Sequence, residues 1–152
     1  MTGRALPWDH TDPFTLSIRV QAGDIDGLEH TNNAVYVNWC EQAAWAHSAA
    51  LGLDLDAYRA LDRAMAITHS DYHYIQASRE GDEVAVGTWI VDWDRRLTMR
   101  RAFQVIRISD GVTLMRGGMR FACIELSSGR PRRMPHEFVA GYGPAVLAEH
   151  GR

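Results

Sequence analysis

The sequence predicts an α+β domain in which one long helix is paired with a five-stranded antiparallel sheet. Three observations carry this. A period-two strand near the N-terminus leads into a single helical stripe, which starts at Asn33. Four long segments rich in β-branched and aromatic residues follow, divided by short turn signals. The composition, 152 residues with 46% hydrophobic and 23% charged, is that of one globular domain. One apolar helix beside so long a sheet implies that the sheet wraps around it.

Residues 1–13, with Pro7 and Pro13, read as an N-terminal tail. Thr15 to Gln21 alternates Leu16, Ile18 and Val20 with polar residues, the pattern of a half-buried strand. The polar, turn-rich stretch 23–32 is a loop. From Asn33 the period changes: Val35, Tyr36, Trp39, Cys40, Ala43, Ala44, His47 and Leu51 recur at spacings of three and four, one stripe over about five turns. Asn32 or Asn33 can serve as N-cap and Gly52 as the residue past the helix end. Residues 54–63 form a short second helix or an ordered connection.

The period then returns to two. Met65–Ala77, Glu83–Trp93, Leu97–Ile108 and Thr113–Leu126 are predicted as four strands of an antiparallel meander. Their turns are Glu80-Gly81-Asp82, Asp94-Arg95-Arg96 and Asp110-Gly111, the last a strong hairpin signal. Gly117-Gly118 predicts a bulge or a close backbone approach. The domain spans 14–138, and 139–152 reads as a C-terminal tail. The sheet edges and the second sheet face left open in one chain predict a homodimer or homotetramer.

Several function classes are excluded. A net charge of −3 and a pI near 6.1 argue against a nucleic-acid binder. No apolar run approaches the ~18–20 residues of a membrane span. The N-terminal segment lacks the apolar stretch of a secretory signal and only two cysteines are present, so a cytoplasmic location is expected. All sixteen basic residues are arginine, which excludes a Schiff-base or P-loop lysine. His69 and His73 stand ~13 Å apart on a strand, too far to share a metal. No Gly-x-Ser-x-Gly is present, and Gly141-x-Gly143 lacks a dinucleotide-binding context.

The densest polar cluster is Asp24-Ile25-Asp26-Gly27-Leu28-Glu29-His30-Thr31-Asn32-Asn33, immediately before the long helix. A helix start offers unpaired N–H groups and a positive dipole end, which can stabilise an oxyanion beside a carboxylate base or nucleophile. His30, Asn33 and Tyr36 share one face if the helix begins near His30. The same residue types also build any loop that feeds a helix. An EF-hand does not fit, because the glycine comes too early and Val35 stands where a bidentate Glu is needed.

The pattern Asp24-x-Asp26, then His30-Thr31-Asn32-Asn33-Ala34-Val35-Tyr36, resembles the signature of hotdog-fold thioesterases of the 4-hydroxybenzoyl-CoA thioesterase-like branch. Asp71-Tyr72 to Gly81-Asp82-Glu83 and Pro131 to Pro135 are similar to later parts of that family, so the likeness spans about 16–138. It implies an acyl-CoA thioesterase with Asp26 as catalytic carboxylate, the Asn33 backbone N–H polarising the carbonyl, and His30 close by. It also implies an acyl tunnel between subunits, lined partly by Tyr36, Trp39 and Cys40. Trp93-Asp94-Arg95-Arg96 resembles the hairpin that meets the nucleotide of coenzyme A, which makes Arg95 and Arg96 substrate-binding candidates. Arg130, Arg132 and Arg133 read as a charged tail. No metal or cofactor is implied, since coenzyme A is part of the substrate. Glu29 departs from the family pattern, standing where glycine is usual before the histidine. The alternatives are an acyl carrier protein thioesterase, or a non-catalytic module that binds acyl-CoA.

Overall fold

Helix and strands form where the periodicity changes. The computed structural model describes residues 5–148. It contains β1 (Phe14–Arg19), α1 (Asn33–Ala50), α2 (Leu55–Leu61), β2 (Arg63–Tyr74), β3 (Glu83–Trp93), β4 (Thr98–Arg107), β5 (Val112–Glu125) and α3 (His136–Tyr142), with short 3-10 turns at Ala22–Asp24 and Gly143–Ala145. The class is α+β with one five-stranded antiparallel sheet, as the sequence predicts. The outermost parts of both predicted tails, 1–4 and 149–152, lie outside the described residues.

The sheet order is β1-β3-β4-β5-β2, which corrects the meander. Only β3, β4 and β5 follow one another as hairpins. β2 joins the far edge beside β5, and β1 takes the place beside β3 with Phe14 opposite Thr88 and Arg19 opposite Glu83. The Glu80-Gly81-Asp82 signal is therefore no hairpin turn. It closes a crossover, where Gly81 at φ 87° donates to the Val20 carbonyl and Val20 donates back to Asp82. The other two turns do join neighbours. Gly111 adopts φ 73°, and Asp110 accepts both the Val112 amide and the Arg107 guanidinium.

The described residues divide into two compact units. The first holds 5–43, 72–88 and 103–117. Here β3 is not alternating as predicted; Val84, Ala85, Val86 and Thr88 are all buried. The reason is the segment before β1. Trp8 lies so close over Gly87 that a Cβ there would stand 2.6 Å from its ring. Gln104 pins the segment by accepting from the Asp9 amide and donating to the Pro7 carbonyl, and Asp9 pairs with Arg116 at 2.7 Å. Residues 5–13 are a packed strap, not a free tail.

The second unit holds 44–71, 89–102 and 118–148. Asp54 caps α2 by accepting from the Ala57 amide, so the connection expected at 54–63 is a helix. The predicted tail from 139 is likewise folded. α3 buries Phe138 and Tyr142, and the Leu147 amide bonds the Ile90 carbonyl. Gly118 confirms the close approach read from the glycine pair, with the Arg101 carbonyl 3.5 Å from where its Cβ would stand.

The polar centre of this unit is Arg101, a residue only 1% exposed. Its guanidinium donates to His47 Nδ1 at 2.9 Å and to Ser48 Oγ, and Ser48 bonds Tyr142, which bonds Tyr58. Accepting from Arg101 keeps the His47 ring neutral. Burial, and then the nearby Arg101 charge, lower its pKa to about 4.

A histidine held below its ordinary pKa of 6.5 binds fewer protons folded than unfolded, so its contribution to stability is complete above pH 6.5 and is lost as pH falls through about 4. Urea unfolding at pH 7 and pH 4.5 should therefore show a loss of about 2 kcal/mol on acidification. His47→Gln, which keeps an acceptor for Arg101 and cannot titrate, should be nearly flat over that window.

Candidate active site

Loop 25–31 is short and tightly tied. Ile25 bridges to Thr31, the Asp26 amide donates to the His30 carbonyl at 2.8 Å, and the Glu29 amide returns to the Asp26 carbonyl. Asp26 also organises the loop through its side chain, because Oδ1 accepts from the Leu28 amide at 2.9 Å and the His30 amide at 3.3 Å. Its other oxygen takes no hydrogen bond from the described residues. Asp24 is spent differently: Oδ2 accepts from the Gln21 amide and closes the 3-10 turn.

The helix begins with a division of labour between two asparagines. Asn32 caps α1, its side chain accepting from the Ala34 amide at 2.9 Å, while its own amide bonds the Asp24 carbonyl. Asn33 is the first helical residue. Its amide is one of the orphan donors of a helix start and bonds nothing among the described residues.

A hydroxyl hub holds this junction in place. Ser78, fully buried, bonds Thr31 Oγ1 at 2.6 Å and Tyr36 Oη at 2.8 Å, and its carbonyl accepts the Thr31 amide. Tyr74 sets its ring against Tyr36, centroids 5.8 Å apart, and donates to the Asn33 carbonyl at 3.4 Å. Partial burial, then Cys40 and Tyr36 nearby, raise the Tyr74 pKa.

Asp26, His30, Asn33 and Tyr36 line one cavity of about 370 Å³. The sequence motif is thus brought together in space. Sequence reading missed Tyr74, Ile75, Gln76 and Ala77, which form the rest of the lining, and Ser78, which bonds Thr31 and Tyr36 of that lining. No spacing rule marks them, since they come from the end of β2 and the connection after it. Trp39 and Cys40 do not line this cavity. Both are buried within the chain, Trp39 edge-on to Tyr36, and burial raises the Cys40 pKa far out of thiolate range.

Arg95 and Arg96 belong to the second unit. Asp94 shapes their turn. Burial opposes its ionisation, but the amides of Thr98, Leu97 and Arg96 outweigh that and pull its pKa down to about 2. Arg95 has φ 64°, lies over the Trp93 ring at 5.9 Å and lines a cavity of about 490 Å³ with Val139, Ala140 and Pro144. Arg96 is exposed and does not line it. Arg132 is paired with Glu125 at 2.7 Å, in keeping with a charged surface segment.

A family model described as the thioesterase-like superfamily matches residues 20–142. Protein THEM6 of Danio rerio is 35% identical over 78 residues, 51% of this chain and 38% of that protein, so the match spans well under half of that relative's length. Slr0204, a 1,4-dihydroxy-2-naphthoyl-CoA thioesterase from Synechocystis, superposes with a TM-score of 0.76 at 17% identity over 85% of this chain and 96% of its own. The 12:0-ACP thioesterase from Umbellularia californica gives 0.79 at 20% identity, over 89% of this chain and 54% of its own. At these identities the two structures share the fold, the hotdog fold whose signature the loop resembles.

The loop also explains its odd residue. Glu29 adopts φ 65°, in the left-handed region that costs a side-chain-bearing residue about 1 kcal/mol or more. Glycine at this position relieves that strain. Glu29→Gly should therefore raise stability by roughly 0.5–1 kcal/mol, read as a higher urea midpoint with an unchanged slope.

Proposed function

Because the chain belongs to the thioesterase-like superfamily, we propose that it hydrolyses the thioester of an acyl-CoA to the free acid and coenzyme A. The observation that carries this reading is the convergence of Asp26, His30, Asn33 and Tyr36 on one cavity at the start of α1. Thioester hydrolysis needs a base or nucleophile and a polarised carbonyl; the thiolate leaves without much help.

Asp26 supplies the first. One carboxylate oxygen is fixed by two loop amides, which aims the other. That oxygen either takes a proton from the attacking water or attacks the carbonyl carbon itself, breaking the C–S bond and leaving a mixed anhydride that water then opens. The free Asn33 amide supplies the second need, donating to the oxygen on which negative charge develops, at the positive end of α1. His30 borders the same space. The tyrosine pair and Ile75 offer an apolar wall to the acyl group.

Arg95 and Arg96 are the proposed partners of the CoA phosphates, Arg being suited to bidentate contact with them. The reading calls for no further cofactor. An acyl carrier protein is the alternative carrier, favoured by the likeness to the Umbellularia californica fold. Among the described residues no helix is long and apolar enough to cross a membrane; the proposed setting is the cytoplasm.

Thiol release from a panel of short, long and aryl acyl-CoAs tests the activity. The wild type should turn over at least one, and Asp26→Asn should lose roughly 10²-fold or more while still folding. Asp24→Asn should lose far less, because its carboxylate serves the turn. Release equal in wild type and Asp26→Asn would remove Asp26 from the reaction, and tight acyl-CoA binding with no release would leave a binding module.

We also propose that the chain works as a homodimer or larger assembly, paired through β2. This 12-residue strand ends the sheet, and Ile67, Tyr74 and Ile75 along it and just past it are each more than 40% exposed. Light scattering after size exclusion should give at least twice the chain mass, and Ile67→Glu should shift the population towards monomer. A wild-type monomer at micromolar concentration would refute this assembly.

A further inference from the structure

Strand β4 sends two consecutive arginines to opposite faces of the sheet. Arg101 turns inward to His47 and Ser48, so Arg100 turns to the other face. The Cys123 amide donates to the Leu97 carbonyl at 2.7 Å. The constant register of an antiparallel ladder then sets Arg100 directly opposite Arg120 of β5. Burial agrees: Met119 and Phe121 on either side of Arg120 are covered, and Arg120 is exposed.

Both guanidiniums line a groove of about 340 Å³, together with Thr68, Thr98, Trp93 and Phe121. Neither guanidinium makes a hydrogen bond or ion pair among the described residues. Like charges opposed on neighbouring strands repel. Acids border the same groove, and neither guanidinium forms an ion pair with them. Asp94 is committed to the amides of its own turn. Asp92 lines the groove from β3 without reaching ion-pair distance of either arginine. Asp71 Oδ1 and Arg100 Nη2 flank the space left by Gly118, at 3.3 and 3.6 Å from where a Cβ would stand.

We propose that this groove is a phosphate-binding site, taking the phosphoryl group of a small phosphorylated molecule between Arg100 and Arg120. Two guanidinium forks match the oxygens of a phosphate monoester or pyrophosphate. The volume lies within the range of small-molecule sites. The site stands on these residues alone, apart from the thioesterase reading.

Calorimetric titration of the purified protein with adenosine 3′,5′-bisphosphate, pyrophosphate, adenosine and coenzyme A tests it. The two phosphates should bind and adenosine should not. Arg100→Gln and Arg120→Gln should each weaken the bisphosphate about tenfold, as loss of one charge-assisted contact does. Both variants should melt no lower than wild type without ligand, since the repulsion is gone. Arg100→Lys, which keeps the charge and loses the fork, should also weaken binding. Coenzyme A weakened in parallel would identify its nucleotide as the source of the phosphate; coenzyme A unaffected would identify a separate phosphorylated ligand, and the site stands in either case. No bisphosphate binding, or binding equal in wild type and all three variants, overturns the proposal.

Discussion

The candidate site depends on one buried hydroxyl cluster. Ser78 meets Thr31 and Tyr36, and all three are buried. Each hydroxyl left unpaired in such a place would cost about 1–3 kcal/mol, so the three bonds are made together or lost together. Thr31 lies between His30 and Asn32, and Tyr36 lies one turn into α1. Fixing both to a single serine fixes the loop and the helix start relative to each other. Asp26, His30 and Asn33, the residues proposed to act, need no buried bonds of their own for this precision.

That arrangement resolves a conflict within the loop. A helix start attracts capping side chains, and a fully capped start has no amide left to offer a substrate. Here Asn32 satisfies the Ala34 amide and stops there. The amide of Asn33, one residue nearer the loop, stays open to the cavity. Asp26 shows the same economy: one oxygen holds the backbone in shape while the other has no partner. The loop bends sharply enough to put Glu29 in a left-handed conformation, and the hub behind it is what sustains that strain.

Much of this was legible in the sequence because it is written in local pattern. The long helix and the loop-to-helix motif follow from periodicity and from residue types that cap and turn chains, and the bounds of β3 from its β-branched and aromatic residues and flanking turns. What the pattern could not show was pairing between distant segments. The crossover that sends β2 to the far edge leaves no mark on either strand. Ser78 sits in a polar stretch that reads as ordinary loop, and its burial is decided by Thr31, 47 residues away. The strap is a similar case. Trp8 follows a proline in a segment of mixed polarity, and only Gly87 across the sheet explains why β3 is apolar without alternation. Trp39 and Cys40 do not line the cavity beside Tyr36 for the converse reason: a helical stripe says which side chains turn inward, and not whether they meet a cavity or the chain's own core.

Strand β4 illustrates what geometry adds to composition. Arg100 and Arg101 are adjacent and chemically identical, yet the pleat of the strand gives them opposite fates. Arg101 is buried, and the cost of that burial shows in a pKa lowered to about 10. It is tolerable because His47 and Ser48 accept its protons and the Tyr142 and Tyr58 hydroxyls continue the network. Were that network absent, a buried guanidinium would be among the most destabilising groups in the chain. Arg100, facing away, costs little by itself in water. What makes it unusual is Arg120 opposite, because a surface free to choose would place an acid there. A sheet that buries one arginine with a full set of partners and leaves the next facing its like is using the two positions for different ends: the first for folding, the second for something the folded chain has yet to meet.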